Sequence, residues 1–153
     1  MGQPKTLTQA SFDVLVREHL VPVFKRYGFK KSALNWYIRR DEQPGGWGII
    51  NLQKSAFGNR NHITFTFNLA VMHDREPEHA SKRRSHACAE QQTRIGRLHP
   101  SNLDTWWDLK EPKPGGKELP DQVLEIAEEV CPLLERKAIP WVLTRLAGPP
   151  VVG

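Results

Sequence analysis

Few cysteines and no long apolar run occur in this sequence, and both shortages narrow the kind of protein it can be. Of 153 residues only two are cysteine, Cys88 and Cys131, so free interior thiols are expected rather than a disulfide framework. No stretch approaches the roughly 18 apolar residues of a membrane-spanning helix. The first residues, MGQPKTLTQA, lack the apolar run of a secretion signal. We therefore expect a cytoplasmic protein without membrane association.

Short motifs that mark common enzymes are also missing. Ser55 and Ser85 have no GxSxG-type nucleophile elbow, and Gly45-Gly46 lacks the strand-loop-helix context of a phosphate-binding loop. No catalytic residue and no cofactor is predicted. An uncharacterised enzyme that uses Lys54 or the histidine-rich segment is kept as a second alternative function.

Potential metal ligands concentrate between residues 73 and 88, but their spacing is not that of a known metal site. It matches neither paired CxxC knuckles nor HExxH. No metal site is predicted, and a charged surface helix from Pro77 to about Gln92 is the favoured interpretation. The potential ligands are His73, Asp74, Glu76, Glu78, His79, His86 and Cys88.

The chain is basic, with a net charge of +5 and a pI near 9.4, and the charge is unevenly distributed. Residues 1–62 hold ten Lys and Arg against four Asp and Glu, whereas residues 101–153 hold six against nine. A basic half is typical of proteins with an anionic partner. Nucleic acid, bound through this half and the run Lys82 to Arg84, is therefore the first alternative function.

Two amphipathic helices are predicted near the two ends of the chain. Apolar residues recur at three- and four-residue spacing over 12–27 and over 123–134. Pro22 is expected to kink the first helix or to restart it as a second short segment, and Pro132 is expected to interrupt the second helix. Gly28 is expected to end the first helix in a left-handed conformation. The stripe of the second helix consists of Val123, Leu124, Ala127, Val130 and Leu134.

Three segments between these helices have the composition of strands. They are NWYIRR, WGIINLQKS and HITFTFNLAV, separated by turns at 43–46 and 58–61, and they predict an antiparallel meander. In the third segment every second residue from Ile63 to Val71 is apolar, so one face belongs to the core and the other is polar. RIGRL and TWWDL are candidates for a fourth strand or an edge element.

Together these elements predict an α+β protein. Its antiparallel sheet has three to four strands, with the N-terminal and C-terminal helices packed on one face. A length of 153 residues fits a single domain, 1–153, in which residues 1–7 and 148–153 fray. The segment AIPWVLTRL is expected to dock as a short helix.

Four stretches carry a resemblance through their order and spacing. They are YGFKKSALNWY at 27–37, INLQKS at 50–55, FTFNLAV at 65–71, and RIGRL followed by TWWDL. Across most of the chain they resemble a family of bacterial proteins called domain of unknown function 4304. The resemblance implies a single domain, and it implies no activity, cofactor or catalytic residue.

The polar positions of two predicted strands form the candidate binding site. Because Ile50 and Leu52 are expected on the core face, their neighbours project from the opposite face. Solvent-facing strands usually also carry Lys, Glu and Arg, and here none is present. A binding role, or cover by another element, is therefore weighed against a plain solvated face. The predicted face consists of Asn51, Gln53, Ser55, Thr64, Thr66 and Asn68.

Three further side chains are included as candidate binding residues. Lys54 has the parity of the core residues in its strand, so its ammonium either extends past the strand end or enters a partly buried site beside an acid. Trp106 and Trp107 point to opposite sides of a strand, so one can fill the core while the other lies exposed or lines a cleft, and the alternative is that both are structural. Trp107 is taken as a binding residue. Arg94 either binds a carboxylate or phosphate or pairs with Asp108 or Glu111.

These observations favour a non-catalytic binding module. It would recognise an unidentified protein or a small polar partner through the polar sheet face and its rim. An accessory role such as toxin neutralisation is expected only by analogy with other small bacterial domains.

Overall fold

The computed structural model of the protein describes residues 3–75, 85–86 and 89–149, which form an antiparallel sheet with helices on one face. The strands are β1 (Lys30–Ser32), β2 (Asn35–Arg40), β3 (Gly46–Lys54), β4 (His62–His73), β5 (Gln91–Arg94) and β6 (Trp107–Lys110). The helices are α1 (Leu7–Val14), α2 (Val21–Arg26), α3 (Leu119–Leu133) and α4 (Ile139–Ala147). Two π-helical segments, Leu15–Leu20 and Leu134–Ala138, join α1 to α2 and α3 to α4, and a 3-10 turn, Ile95–Leu98, follows β5.

The longest strand, β4, organises the sheet. Strands β1 to β4 pair in chain order, and β5 and β6 both pair along the free edge of β4. The predicted α+β class is confirmed, but the described residues form a sheet of six strands rather than three or four. The short strands β1 and β5 contain no apolar alternation, so the sequence pattern does not reveal them. TWWDL supplies β6, whereas RIGRL supplies only the last residue of β5 and then the 3-10 turn.

Alternation along β4 separates the two faces of the sheet, as predicted. Its residues Phe65, Phe67 and Leu69 are fully buried against the helices, together with Ile50 of β3. The opposite face is apolar at one end, where a second small cluster packs, and polar at the other. The buried members of that cluster are Ile49, Ala70, Met72 and Ala89.

Helices α1, α3 and α4 cover the core face of the sheet. Phe12 of α1 meets Phe65 edge-on, with ring centroids 5.6 Å apart. The predicted stripe of α3 is confirmed at its buried positions, but Leu124 is 51% exposed and Ile126 lies in the core instead. Thr6 begins α1 with a capping box, in which its hydroxyl accepts from the backbone N–H of Gln9. None of the helices in the described ranges combines the length and apolar content needed to cross a bilayer.

Helix α1, the π-helical segment after it and α2 are here called the N-terminal helical arm. In this arm a π-helical turn directly precedes the proline. The N–H of Val21 bonds to the carbonyl of Val16, five residues back, and Pro22 follows directly. The wider turn makes room for a proline ring that would otherwise clash with the carbonyl four residues back. The break expected at Pro22 is therefore a local widening. Gly28 ends this arm at φ 85°, as predicted.

Helix α3, the π-helical segment after it and α4 form the C-terminal helical arm. Here too a π-helical turn directly precedes a proline, Pro140 rather than Pro132. The N–H of Ile139 bonds to the carbonyl of Leu134, again five residues back, and Pro140 follows. The prediction that Pro132 interrupts the helix is wrong, because α3 continues through Pro132 to Leu133 and then into the π segment. AIPWVLTRL docks as a helix, α4, as predicted.

Some predictions concern residues that are not described. The surface helix from Pro77 to Gln92 and the run Lys82 to Arg84 lie mostly or wholly outside the described ranges. The end of that predicted helix is wrong, because Gln91 and Gln92 belong to β5. Cys88 is also outside these ranges, while Cys131 is a free, half-buried thiol whose pKa is raised by burial.

The core assignment predicts very different costs for two phenylalanine truncations. Phe65 is fully buried and Phe57 is 99% exposed. Phe65→Ala should lower the free energy of unfolding by about 3–5 kcal/mol, because it leaves a cavity beside Phe12 and Trp107. Phe57→Ala should change it by less than about 0.5 kcal/mol. Urea denaturation of both variants checks this, and equal losses would contradict the assignment.

Candidate functional site

A row of polar side chains crosses the sheet on the face opposite the helices. Asn35 of β2 lies opposite Asn51 of β3, Asn51 opposite Asn68 of β4, and Asn68 opposite Arg94 of β5. Gln53, two residues beyond Asn51, projects from the same face. These five residues, Asn35, Asn51, Gln53, Asn68 and Arg94, are here called the polar face. All five are half-buried.

Hydrogen bonds connect the whole row. Asn51 Nδ2 donates to Asn35 Oδ1 at 2.7 Å. Asn68 Nδ2 donates to Asn51 Oδ1 at 3.0 Å and to Gln53 Oε1 at 2.8 Å. Arg94 Nε donates to Asn68 Oδ1 at 3.3 Å. One network therefore links four neighbouring strands through their side chains.

Arg94 determines the direction of these bonds. A guanidinium can only donate, so the oxygen of Asn68 must face Arg94 and its amide nitrogen must face Asn51 and Gln53. Asn51 and Gln53 therefore present their side-chain oxygens to Asn68. Among the residues that the structure describes, Asn35 Nδ2 and Gln53 Nε2 have no acceptor, and Asn51 Nδ2 donates only one of its two N–H groups. The polar face therefore keeps donors that its own network does not use.

A loop closes one side of the polar face. A Cβ on Gly96 would lie 2.2 Å from the carbonyl oxygen of Leu103, so only glycine permits this close approach. Asp104 accepts from Arg94 Nη1 at 2.9 Å and from Trp106 Nε1 at 3.0 Å. The Arg94 guanidinium also lies over the Trp106 ring, 5.3 Å from its centroid. The loop thus orients the guanidinium.

Four predicted site residues, Asn51, Gln53, Asn68 and Arg94, come together in this way. Thr66 lies on the same side but is fully buried, because its hydroxyl donates to the carbonyl of Thr105 at 2.6 Å. This part of the predicted face is covered by another element. Ser55 lies just past β3, where its hydroxyl accepts from the N–H of Phe57 at 3.2 Å.

Trp107 and Lys54 lie apart from the polar face. Trp107 is 5% exposed and packs against Phe65 and Phe67 in the core. Its neighbour Trp106 is the indole that reaches the polar face, so Trp107 was the wrong choice of the pair. Lys54 extends past the strand end, and its ammonium lies over the Phe12 ring, 4.7 Å from the centroid.

Thr64 belongs to a separate cluster at β6. Its hydroxyl donates to Asp108 Oδ1 at 2.5 Å, and His62 Nε2 lies 2.9 Å from the same oxygen. Burial raises the pKa of Asp108, but the hydrogen bonds from Thr64 and His62 lower it by more, so the pKa is below its usual value. One nitrogen of His62 contacts both partners, which is not the arrangement of a hydroxyl-histidine-acid triad.

The histidine-rich segment does not assemble a metal site in its described part. His73 is buried with Nε2 at 3.3 Å from the carbonyl of Leu146, and Asp74 accepts two bonds from Arg39. The hydrogen bonds to Asp74 raise the pKa of Arg39, while burial lowers the pKa of His86. Among described residues no group of three or more His, Cys, Asp or Glu is placed to hold an ion. Glu76, Glu78, His79 and Cys88 lie outside the described residues.

Sequence reasoning missed Asn35, Asp104 and Trp106. Asn35 begins NWYIRR, and the register of β2 against β3 places it opposite Asn51. The alternation of β3 shows that Asn51 is on the polar side, but it identifies Asn35 as a neighbour only when the register of β2 against β3 is known. Asp104 lies in a loop whose path depends on Gly96, so no local pattern predicts its position.

Residues 20–142 match the protein family described as Domain of unknown function (DUF4304). The chain belongs to this family. Comparison with curated proteins and with solved structures found no match. The matched range of the DUF4304 family includes every residue of the polar face and the loop that bears Asp104 and Trp106.

Removal of the central amide should weaken this network measurably. Asn68→Ala leaves Asn51, Gln53 and Arg94 without their shared partner, so we expect a loss of about 1–3 kcal/mol in the free energy of unfolding. Asn61→Ala is the matched control, since the Asn61 side chain is exposed, and it should change stability by less than about 0.5 kcal/mol. Chemical denaturation compares the two. Equal effects would mean that the network adds no stability.

The lowered pKa of Asp108 predicts a pH-dependent contribution to stability. A carboxylate with a folded-state pKa below its usual value of 3.8 stabilises the fold above that value, and the contribution is lost as the pH falls through the folded-state pKa. Wild type should therefore exceed Asp108→Asn in stability at about pH 6, and the difference should shrink towards about pH 3. Thermal unfolding across this range measures it. A constant difference would contradict the shift.

Proposed function

We propose that this protein is a non-catalytic binding module whose polar face recognises a protein or a small polar partner that presents hydrogen-bond acceptors. The observation that carries the proposal is the direction of the side-chain network. Because Arg94 fixes which atom of each amide in the row accepts, the N–H groups of Asn35 and Gln53 are left without an acceptor among the described residues. Carbonyl and carboxylate oxygens are the groups that such a surface binds.

Preorganisation supports this role. Asn51 and Asn68 are held on both sides by neighbouring strands, so their side chains lose little conformational freedom when a partner binds. The half-buried state of all five residues also strengthens each bond relative to one in water.

At the edge of the polar face, Arg94 adds a positive charge that suits the same acceptor-bearing partner. Arg94 donates three of its five N–H groups to Asn68, Asp104 and Gln53, which leaves two for a ligand. The side chain is 35% exposed and stacked on Trp106, so the guanidinium is both held and accessible. A carboxylate of a protein or of a small molecule fits these donors. A toxin neutralised by this chain is one possible protein partner.

Two isosteric substitutions test the direction of recognition. Asn35→Asp combined with Gln53→Glu keeps the inward oxygens and replaces the outward N–H groups with acceptors. Affinity capture from the native host, quantified by mass spectrometry, should recover the partner with wild type. The amount recovered with this variant should be lower by about tenfold or more, because two donors are lost and two negative charges that repel an acceptor are added.

Gln43→Glu combined with Asn61→Asp is the control, since it makes the same chemical changes at two exposed positions remote from the polar face. It should recover the partner as wild type does. Thermal unfolding confirms that both variants are folded. If the Asn35→Asp, Gln53→Glu variant captures the same proteins in the same amounts as wild type, the polar face is not the binding site.

Nucleic acid is the second candidate. The feature that favours it is the pair Lys31 and Lys54, for which no carboxylate lies within ion-pair distance in the described part of this basic half. Binding would weaken steeply with salt, because released counterions supply most of its free energy. Heparin chromatography separates the candidates, since absence of retention at low salt excludes the nucleic-acid function.

A further inference from the structure

A groove of about 560 Å³ lies on the helix side of the sheet, away from the polar face. One wall is the N-terminal helical arm, and the other is the β1–β2 hairpin with the end of β3. The volume falls within the range of small-molecule sites, roughly 300–1,000 Å³. Its lining residues are Lys5, Phe12, Asp13, Val16, Arg17, Val21, Lys31, Ala33, Leu34 and Lys54.

The rim of this groove is strongly positive. Four of its lining residues are cations and only Asp13 is an acid. Asp13 pairs with Lys5, and Arg17 lies 3.7 Å from Glu18. In the part of the chain that the structure describes, Lys31 and Lys54 have no such pair, and both are exposed. Two ammonium groups therefore face the groove without a counter-charge from the protein.

The floor of the groove is apolar. Phe12 and Val16 are buried in the main core, while Val21 and Leu34 are partly exposed beside them. The Lys54 ammonium is held above this floor by the Phe12 ring, 4.7 Å from its centroid. Lys54 shares the core-face parity of β3, so its charge emerges at the edge of the core rather than on the polar face.

We propose that this groove binds a small carboxylate with an aliphatic or aromatic body. The carboxylate would pair with Lys31 and Lys54, and the body would cover Val21 and Leu34. An inorganic anion would leave the apolar floor hydrated, and a neutral apolar molecule would leave the ammonium groups unpaired. A single-stranded nucleic acid would need exposed aromatic faces for its bases, and Phe12, the one aromatic ring among the residues that line the groove, is only 2% exposed. A duplex would bring only phosphates to the two lysines and would leave the apolar floor hydrated.

Three small probes separate charge from apolar contact. Decanoate, kept below its micelle concentration, carries both features, acetate carries the charge alone, and decyltrimethylammonium carries the chain with the opposite charge. Calorimetric titration should give decanoate an affinity at least about tenfold higher than either of the other probes. Decanoate binding should also weaken as salt rises, because the rim charges are exposed and screened.

Charge-matched variants then locate the site. Lys31→Gln combined with Lys54→Gln should weaken decanoate binding by about fivefold or more, since two exposed ion pairs are lost. Lys110→Gln combined with Lys113→Gln removes the same charge at residues that line a different cavity, and it should leave the affinity within about twofold of wild type. All four substitutions are at exposed positions, and thermal unfolding verifies that each variant is folded.

Three results would overturn the proposal. They are undetectable decanoate binding to wild type, binding of decyltrimethylammonium as tight as that of decanoate, and equal affinities of wild type and the Lys31→Gln, Lys54→Gln variant. The polar-face variant Asn35→Asp, Gln53→Glu should bind decanoate as wild type does, because its changes are on the other side of the sheet. The two sites can therefore fail or succeed independently.

Discussion

Pairing of β3 with β4 is the interaction on which the rest of the structure depends. Their antiparallel register is continuous from Gly46 opposite His73 to Lys54 opposite Phe65. This register places Ile50, Leu52, Phe65, Phe67 and Leu69 under the helices and brings the polar residues of both strands together at one end of the other face. Because side chains alternate with a period of two, a slip by one residue would bury the amides and expose the phenylalanines. The hydrophobic core therefore enforces the register that assembles the polar face.

Two consecutive residues of β3 contribute to two different surfaces, the polar face and the groove on the helix side. Gln53 joins the polar face, whereas Lys54 passes to the helix side and lies over Phe12. Adjacent strand residues point in opposite directions, so a short polar segment serves two unrelated chemistries. One surface offers amide and guanidinium donors around a fixed hydrogen-bond network. The other combines an apolar floor with ammonium groups that have no carboxylate partner among the described residues.

Much of the fold follows from local patterns. The alternation from Ile63 to Val71 predicted the two faces of the sheet, and the spacing over 12–27 predicted the N-terminal helical arm. Strands β1 and β5 escaped prediction because they are short and contain no buried apolar residue. The helix was predicted to be interrupted at Pro132, but it continues through this residue, because a π segment follows α3 and both helices pack on the core.

By itself the sequence determined the α+β class, the parity of each strand residue and the polar character of one sheet face, because these depend on residue type and spacing along a single segment. Only the tertiary structure decided which polar residues meet. Asn35 and Arg94 join Asn51 and Asn68 through strand pairings distant in sequence, and Asp104 arrives on a loop that Gly96 admits. The choice between Trp106 and Trp107 also depends on the side from which β6 joins β4. Such contacts are determined by the packing of the whole chain, which no local periodicity encodes.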